Sequence, residues 1–320
     1  MSGNLRGVLF ALAAFAVFST HDVAIKVLGG SYSPIQIVFF SVLLSFPLAT
    51  VMLMRDSTQG TLIPRHPWWV ALRTLAAVVT GFSIFYAFSH LPLAQVYAIL
   101  FASPLLITVL AIPVLGEVVR LRRWVAVIVG LLGVFIVLRP GQTDLTLGHF
   151  AALAGAIGSA VASIIVRKIG SEERPVVMLL YPMVANFTVM AFLLPTVYKP
   201  MPIEHLGLLG VVAVLAWTAS RFIISAYQNG EAAIIAPMQY SQIVWASIYG
   251  FFFFGEVVDF QTGLGALIII ASGVYIVLRE SRADASNNTP VLRTRSRGDT
   301  AASPRVSVLM RAIGKIPPRQ

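Results

Sequence analysis

The sequence predicts an all-α membrane protein with ten transmembrane helices, built as two inverted five-helix repeats. Two observations lead to this prediction. The 320 residues are 58% hydrophobic and only 11% charged, whereas soluble domains are about 45–50% apolar and about 25% charged. The sequence Gly-Glu-Val-Val at residues 116–119 also returns at residues 255–258. The composition indicates a chain surrounded by lipid, and the recurring sequence indicates an internal duplication.

Ten mostly apolar runs are each long enough to cross a bilayer as a helix, which takes roughly 20 residues. Several connections are very short, such as residues 89–92, and this favours tight helical hairpins. A soluble helical bundle is the alternative, but it would have to bury far more apolar surface than its size allows. The runs are Gly7–Leu28, Pro34–Met54, Trp68–Ser89, Leu93–Leu115, Leu121–Leu138, Leu147–Val166, Pro175–Val197, Leu206–Gln228, Ala232–Phe253 and Phe260–Leu278.

Lysine and arginine in the connecting segments predict the orientation, because cytoplasmic loops carry an excess of both. If the amino terminus is inside, the inner segments include the basic stretches 120–123 and 167–174 and the basic tail. The outer segments then hold Lys26, Arg139 and Lys199. We therefore expect a multi-pass protein of the cell inner membrane with both termini in the cytoplasm.

Five helices in each half would give the second half the opposite orientation in the membrane. The first Gly-Glu-Val-Val turn then falls inside and is followed by arginines, whereas the second falls outside and is followed by Asp259. The change of sign thus agrees with the predicted topology. We expect residues 1–140 and 141–280 to form the two repeats, and residues 281–320 to form a disordered, basic cytoplasmic tail.

Each half carries its Gly-Glu-Val-Val turn before its last helix, and each last helix contains Gly-Val-aromatic-Ile-Val-Leu-Arg, at residues 133–139 and 273–279. In these features the chain resembles the EamA-type transporters of the drug/metabolite transporter (DMT) superfamily, over about residues 5–280. The resemblance implies a secondary transporter whose central cavity is lined by helices 1, 3, 4, 6, 8 and 9. It indicates little about the substrate.

His21 and Asp22 stand out because polar groups inside a membrane are energetically costly and need a partner or a purpose. They lie about two-thirds along the first predicted helix, where the repeat places Ala162 and Ser163. They are candidates for a proton or substrate site. In the structural alternative, Asp22 pairs with Lys26 one turn later, and His21 donates to a neighbouring carbonyl.

Arg221 lies within the eighth predicted helix, where a guanidinium must find a carboxylate, carbonyls, water or a ligand. Glu231 is one candidate partner. Amide and aromatic side chains on the fourth, seventh, eighth and ninth helices could line a cavity, or they could form interfacial belts and bonds between helices. The predicted substrate-binding residues are His21, Asp22, Gln95, Tyr97, Asn186, Trp217, Arg221, Gln242 and Trp245.

The sequence contains no hydrolase, metalloprotease, P-loop or dinucleotide-binding motif. We therefore predict no catalytic residue, no metal and no cofactor; an intramembrane enzyme would have only the adjacent pair His21 and Asp22. The expected partners are a small-molecule substrate and the bilayer, and not nucleic acid. Small-residue pairs in the fifth and sixth helices, Ala126/Gly130 and Gly155/Ser159, would fit a homodimer face or an internal contact.

The amide and aromatic side chains suggest a flat, neutral substrate with hydrogen-bonding edges. Aromatic rings can stack on such a molecule, and amides can bind its edges without requiring charge. A vitamin-like compound such as riboflavin is therefore the expected substrate. Export of amino acids or of metabolites such as S-adenosylmethionine or purines is the alternative, in which Arg221 and Asp22 would bind the substrate's charges directly.

Overall fold

The computed structural model describes residues 3–54, 61–116, 119, 121–140, 144–170, 172–230 and 232–281. Every regular element in these residues is a helix. Two short 3-10 helices, Leu194–Thr196 and Ala236–Tyr240, accompany the α-helices. The α-helices are α1 (Gly3–Gly29), α2 (Pro34–Met54), α3 (Pro67–His90), α4 (Leu93–Leu100), α5 (Ser103–Leu115), α6 (Leu121–Leu138), α7 (Leu147–Ile169), α8 (Pro175–Leu193), α9 (Ile203–Asn229), α10 (Ala232–Ile235), α11 (Ser241–Phe254) and α12 (Phe260–Ser281).

Eight helical segments of the described residues are long and apolar enough to cross a membrane, and they match eight of the predicted spans. The predicted second span is the single helix α2, of which the stretch Pro34–Pro47 is recorded as an apolar helix. The predicted ninth span is divided into α10, a 3-10 helix and α11. The prediction of an all-helical, multi-pass chain is therefore confirmed, whereas the number of ten crossings stays a prediction. The predicted tail lies outside the described residues, apart from the end of α12.

The predicted fourth and ninth spans are interrupted at equivalent places. The fourth is divided into α4 and α5 at Phe101 and Ala102, just before Pro104. The ninth is interrupted by the 3-10 helix that contains Pro237 and ends at Tyr240. A proline removes one backbone donor and its ring clashes with the preceding turn, so a helix tends to break there. These breaks leave irregular backbone in the interior of the bundle.

Helices of one half of the chain pack mainly against helices of the other half. The most extensive contacts are those of α1 with α9, α3 with α7, and α6 with α12. The first long helix of each half thus packs against the third of the other half, while the last helices pack against each other. Two halves related by a two-fold axis would produce this pattern. The inverted orientation of the halves stays a prediction.

The recurring Gly-Glu turns have the same backbone geometry in both halves. Gly116 ends α5 with φ 68°, and Gly255 ends α11 with φ 64°. Glycine is the residue that adopts this left-handed conformation most readily, and it ends helices in this way. Glu256 follows Gly255 and donates its backbone N–H to the carbonyl of Gly250 at 2.9 Å. Glu117 lies outside the described residues.

The small-residue pairs of the fifth and sixth spans make contacts within the chain. A Cβ added to Gly130 would lie 2.8 Å from Oγ of Ser272 in α12. One added to Gly155 would lie 2.7 Å from Cγ1 of Ile84 in α3. Of the two interpretations of these residues, the internal contact is therefore the one that the structure supports.

The contact between α6 and α12 depends on Gly133, and we expect Gly133→Ala to destabilise it. The new Cβ would lie 2.8 Å from Cγ1 of Ile269 and 2.9 Å from the backbone oxygen of Gly265. Overpacking of this kind costs about 1–3 kcal/mol. Thermal unfolding of the purified protein measures the loss. Gly263→Ala is the matched control on α12, because no atom lies within 4 Å of its added Cβ. Equal melting temperatures of the two variants would contradict the prediction.

A strap of hydrogen bonds joins the connection between α1 and α2 to the segment that leads into α9. Oη of Tyr32 lies 2.6 Å from Nδ1 of His205. The side chain of Gln36 donates to the backbone oxygen of Lys199 at 2.6 Å and accepts from its N–H at 2.9 Å. We call these contacts the Tyr32 strap. It holds a loop of the first half against a helix of the second.

A corresponding strap joins the connection between α7 and α8 to the start of α3. Nε2 of His66 lies 2.6 Å from Oε2 of Glu172, and the backbone N–H of His66 donates to Oε1 of Glu173 at 2.5 Å. Arg174 donates to the carbonyl of Thr61 at 3.2 Å. We call these contacts the Glu172 strap. His66 and His205 have the same spacing in the sequence as Gly116 and Gly255, so they occupy equivalent positions in the two halves.

Candidate functional site

The two interrupted spans meet in the interior of the bundle. Phe101 at the first break and Tyr240 at the second pack edge to face, with ring centroids 5.0 Å apart. Their spacing in the sequence is that of Gly116 and Gly255, so the two rings are equivalent residues of the two halves. Tyr97, one turn before the first break, packs against Phe101 at 5.9 Å. The irregular backbone of both halves therefore lies beside an aromatic centre.

Four buried polar residues from α1, α4 and α11 form a connected group beside this centre. Nδ1 of His21 lies 2.8 Å from Oδ1 of Asp22. The hydroxyl of Tyr97 donates to Oδ2 of Asp22, and Nε2 of Gln242 donates to the Tyr97 oxygen at 3.3 Å. We call His21, Asp22, Tyr97 and Gln242 the central cluster. The structure thus brings together four of the predicted substrate-binding residues.

The central cluster holds a carboxyl group away from solvent. Asp22 is fully buried, and His21 is 2% exposed. An ionised carboxylate in an apolar interior is strongly unfavourable unless hydrogen bonds and a positive charge compensate for it. Tyr97 supplies one hydrogen bond, and protonated His21 can supply a positive charge at 2.8 Å. Chemically, the cluster can bind a proton or the cationic group of a ligand.

Several polar atoms close to the cluster along the chain are buried without a partner among the described residues. They include Oγ of Ser19, Oγ of Ser241 and Nε1 of Trp245. Ser19 precedes His21 by two positions, and Ser241 and Trp245 lie on either side of Gln242 along α11. Buried polar atoms in native structures nearly always have a partner, so each calls for an explanation. A polar ligand would find hydrogen-bond partners in these buried donors and acceptors.

The predicted residue Trp245 lies beside the cluster on α11. Its ring stacks against that of Tyr249, with centroids 6.2 Å apart and an angle of 30°. The hydroxyl of Thr20 in turn donates to Oη of Tyr249 at 3.2 Å. Since Trp245 follows Gln242 by about one helical turn, both belong to the same side of α11. Trp245 can therefore extend the aromatic and polar surface of the cluster.

Lys26 pairs with Glu256 and not with Asp22, the local partner considered from the sequence. Its ammonium lies 2.7 Å from Oε1 of Glu256 and also donates to the carbonyl of Leu91. Oε2 of Glu256 accepts the backbone N–H of Leu93 at 2.9 Å. Pairing of Lys26 with Asp22 is therefore wrong, because Gly255 turns the chain so that Glu256 meets Lys26 from the other half.

Two further predicted residues lie apart from the central cluster. Nε2 of Gln95 lies 3.0 Å from Nε2 of His149, near the start of α7. Asn186 is fully buried and donates to the carbonyl of Pro182 in its own helix at 2.9 Å. Among the described residues, these contacts do not connect either amide to the central cluster, and their part in a substrate site stays a prediction.

Trp217 and Arg221 lie on the exposed face of α9. Trp217 is 50% exposed, and Cζ of Arg221 lies 5.6 Å from its ring centroid. Ala219 and Ile223, which pack on α1, lie on the buried side of the same helix. Both residues point away from the side of α9 that packs on α1, so they lie apart from the central cluster, and a role for them in substrate binding stays a prediction. Glu231, considered as a partner of Arg221, lies outside the described residues.

Sequence reasoning did not identify Phe101, Tyr240 or His149 as parts of the interior. Phe101 and Tyr240 are aromatic residues in mostly apolar spans, so composition gives no reason to assign them to the interior. The spacing of the repeated Gly-Glu turn could have identified them, because the same spacing separates the two rings. His149 carries no such signal.

A polar cluster beside two interrupted helices, inside a helical membrane bundle, is the arrangement of a secondary transporter. The chain belongs to the EamA-like transporter family, whose sequence model matches residues 5–139 and 146–279. The family expected from the sequence is therefore confirmed, and the protein is a multi-pass membrane transporter. The double match also agrees with a chain built from two related halves.

Transporters with different named substrates are similar to this chain. The S-adenosylmethionine uptake transporter of Rickettsia prowazekii is 26% identical, over 89% of this chain and 96% of that protein. The pseudopaline exporter of Pseudomonas aeruginosa is 25% identical, over 84% of this chain and 95% of that protein. The riboflavin transporter of Vibrio cholerae is 29% identical, over 67% of this chain and 72% of that protein.

Proposed function

We propose that this transporter carries S-adenosylmethionine, or a similar cationic nucleoside, and binds it at the central cluster. The observation that carries this proposal is the buried carboxyl group of Asp22, which lies beside aromatic rings inside the membrane bundle. A buried carboxylate favours a substrate that brings a positive charge. The similarity to S-adenosylmethionine uptake transporters over most of both chains supports the same class of substrate.

The chemistry of S-adenosylmethionine matches the groups around the cluster. Its sulfonium and ammonium are cations that Asp22 can compensate, and cations are also attracted to the faces of aromatic rings. Its adenine ring is flat and can stack on rings such as those of Phe101 and Tyr240, which already pack against each other. Gln242 and Trp245 can bind the hydrogen-bonding edge of the base. The cluster therefore offers complementary groups for the charged and the flat parts of the molecule.

We further propose that the two halves, residues 1–140 and 141–280, are inverted repeats that work by alternating access. The exchange of helix partners between the halves and the meeting of the equivalent rings of Phe101 and Tyr240 support this arrangement. In such carriers the two halves rock about a site near the middle of the membrane. The proposed location is the inner membrane, with both termini in the cytoplasm.

Uptake into proteoliposomes tests the proposed substrate. Liposomes that contain the purified protein are expected to accumulate labelled S-adenosylmethionine with saturation, whereas protein-free liposomes are not. Unlabelled S-adenosylmethionine should compete, and riboflavin should not. Thermal stabilisation of the protein by the same compound gives a second readout that does not require transport. Absence of both uptake and stabilisation would refute this choice of substrate.

Riboflavin, the substrate expected from the sequence, is the second candidate. The rings of Phe101 and Tyr240 and the amide of Gln242 would suit its flat, neutral ring system, and the riboflavin transporter of Vibrio cholerae is similar over part of the chain. A neutral ring does not need the charge of Asp22. If labelled riboflavin enters the liposomes and Asp22→Asn retains this flux, riboflavin replaces S-adenosylmethionine as the substrate.

A further inference from the structure

Arg221 presents a cation on an otherwise apolar, exposed face of α9. The neighbouring exposed residues on this face are Val211, Val214 and Trp217. Among the described residues, the guanidinium contacts the ring of Trp217, with its Cζ 5.6 Å from the ring centroid. A charged side chain that faces lipid is costly unless it reaches the polar headgroups or a partner. A negatively charged group would offset this cost, and the described residues place none against the guanidinium.

Arg221 lies about two turns before the end of α9, and in the structure its guanidinium packs over Trp217, one turn further from that end. Arg221 precedes the last residue of α9, Asn229, by eight positions, which is about 12 Å along a helix. An arginine side chain can extend along the helix and bring its guanidinium to the membrane surface. In the proposed orientation this surface is the cytoplasmic one, where anionic lipids attract basic residues.

A second arginine lies at the same end of the groove between α1 and α9. Gly7 packs so closely against the end of α9 that an added Cβ would lie 2.9 Å from the carbonyl of Ala226. Arg6, directly before Gly7, is exposed. One helical turn further along α1, Phe10 packs against Phe222 with ring centroids 6.1 Å apart. The groove thus has one arginine from each helix, Arg6 and Arg221, and the packed rings of Phe10 and Phe222.

The equivalent position in the first half lacks the charge. By the spacing of the repeated Gly-Glu turns, Arg221 corresponds to Phe82 in α3, which packs against Tyr86 with ring centroids 6.1 Å apart. If the halves are inverted, Phe82 faces the opposite leaflet. The cation is therefore found only on the copy that faces the cytoplasmic side. If the residue at this position only supported the packing that both halves share, one half would not need a charge where the other has none.

We propose that the groove between α1 and α9 binds the phosphate of an anionic phospholipid of the inner leaflet, through Arg221 and Arg6. Arginine matches phosphate well, because its planar guanidinium can donate two parallel hydrogen bonds to it. Trp217 and the aromatic pair Phe10 and Phe222 provide the apolar surface for the lipid chains. This lipid site is separate from the central cluster.

Thermal unfolding of the purified, delipidated full-length protein in neutral detergent tests the proposal. Dioleoylphosphatidylglycerol is expected to raise the melting temperature by several degrees, and dioleoylphosphatidylcholine is expected to raise it much less. Arg221→Gln should lose at least half of the phosphatidylglycerol effect, and Arg221→Lys should retain part of it. Arg122→Gln, at another exposed arginine near a helix end, should respond like the wild type.

Native mass spectrometry of the same samples separates the alternative outcomes. One retained phosphatidylglycerol per wild-type chain, lost in Arg221→Gln and weakened in Arg6→Gln, supports the site. Equal stabilisation of Arg221→Gln and wild type overturns it, as does equal stabilisation by both lipids. A dimer that Arg221→Gln dissociates would assign the face to a second copy of the chain instead. If Arg221→Gln fails to fold, Arg6→Gln and Arg221→Lys provide the comparison. No substrate is present, so the result is independent of the proposed transport activity.

Discussion

Asp22→Asn is expected to reduce uptake of a cationic substrate about 100-fold while the protein remains folded. The amide has nearly the shape of the carboxyl group and can still accept the hydrogen bond of Tyr97, but it carries no charge. Removing one partner of a buried charge pair costs about 2–5 kcal/mol, and each 1.4 kcal/mol is about tenfold in affinity. The initial rate of S-adenosylmethionine uptake into proteoliposomes measures the loss.

Two further variants show whether this loss arises at the central cluster. Asp144→Asn removes a carboxylate that is exposed before α7, and uptake by this variant should equal that of wild type. Tyr97→Phe removes one hydrogen bond to Asp22 and should give an intermediate rate. Uptake by Asp22→Asn within threefold of wild type would contradict a role for the carboxylate in binding. A loss of the folded protein, seen by thermal unfolding, would instead assign Asp22 to structure.

Lys26→Met is expected to cause a large loss of stability. The ammonium of Lys26 pairs with Glu256 at 2.7 Å, and both side chains are mostly buried, with 12% and 17% of their surface exposed. Methionine keeps the length of the side chain but leaves Glu256 buried without its cation, which costs about 3–5 kcal/mol. Thermal unfolding in detergent measures the change. Lys199→Met is the matched control, because Lys199 is exposed and its ammonium donates to one backbone carbonyl.

A second substitution separates the ion pair from simple packing. Glu256→Gln in the Lys26→Met background removes the unpaired charge and can still accept the backbone N–H of Leu93, which donates to this side chain in the structure. The double variant should therefore recover a large part of the stability that Lys26→Met loses. Losses that simply add, with no recovery, would show that the two side chains contribute independently.

The positions of the helices follow well from the sequence, but their orientation about their own axes does not. A lipid-facing side and a buried side are both apolar, so the pattern that reveals the inner face of a soluble helix is weak in a membrane. The burial of His21, Asp22, Tyr97 and Gln242 could be expected because polar groups avoid lipid. The exposure of Trp217 and Arg221 could not, because a cation near the membrane surface can extend to the headgroups.

Partners in the other half of the chain are the second kind of feature that the sequence did not predict. Asp22 is one turn from Lys26, and this made a local ion pair the simplest expectation. Glu256 becomes the partner only through the packing of α1 against α11 and the turn at Gly255. The contact of Phe101 with Tyr240 likewise depends on how the halves meet. Contacts of this kind require the tertiary arrangement, and local spacing cannot supply them.

The two histidine straps have a consequence for how the chain is made. Each strap joins a loop of one half to the beginning of a helix in the other, so a half synthesised alone would leave both of its strap segments unmatched. During synthesis the Glu172 strap can close once Glu172–Arg174 has emerged, whereas Tyr32 must wait for His205. The contacts of the Glu172 strap can therefore form before those of the Tyr32 strap, in the order in which their residues are synthesised.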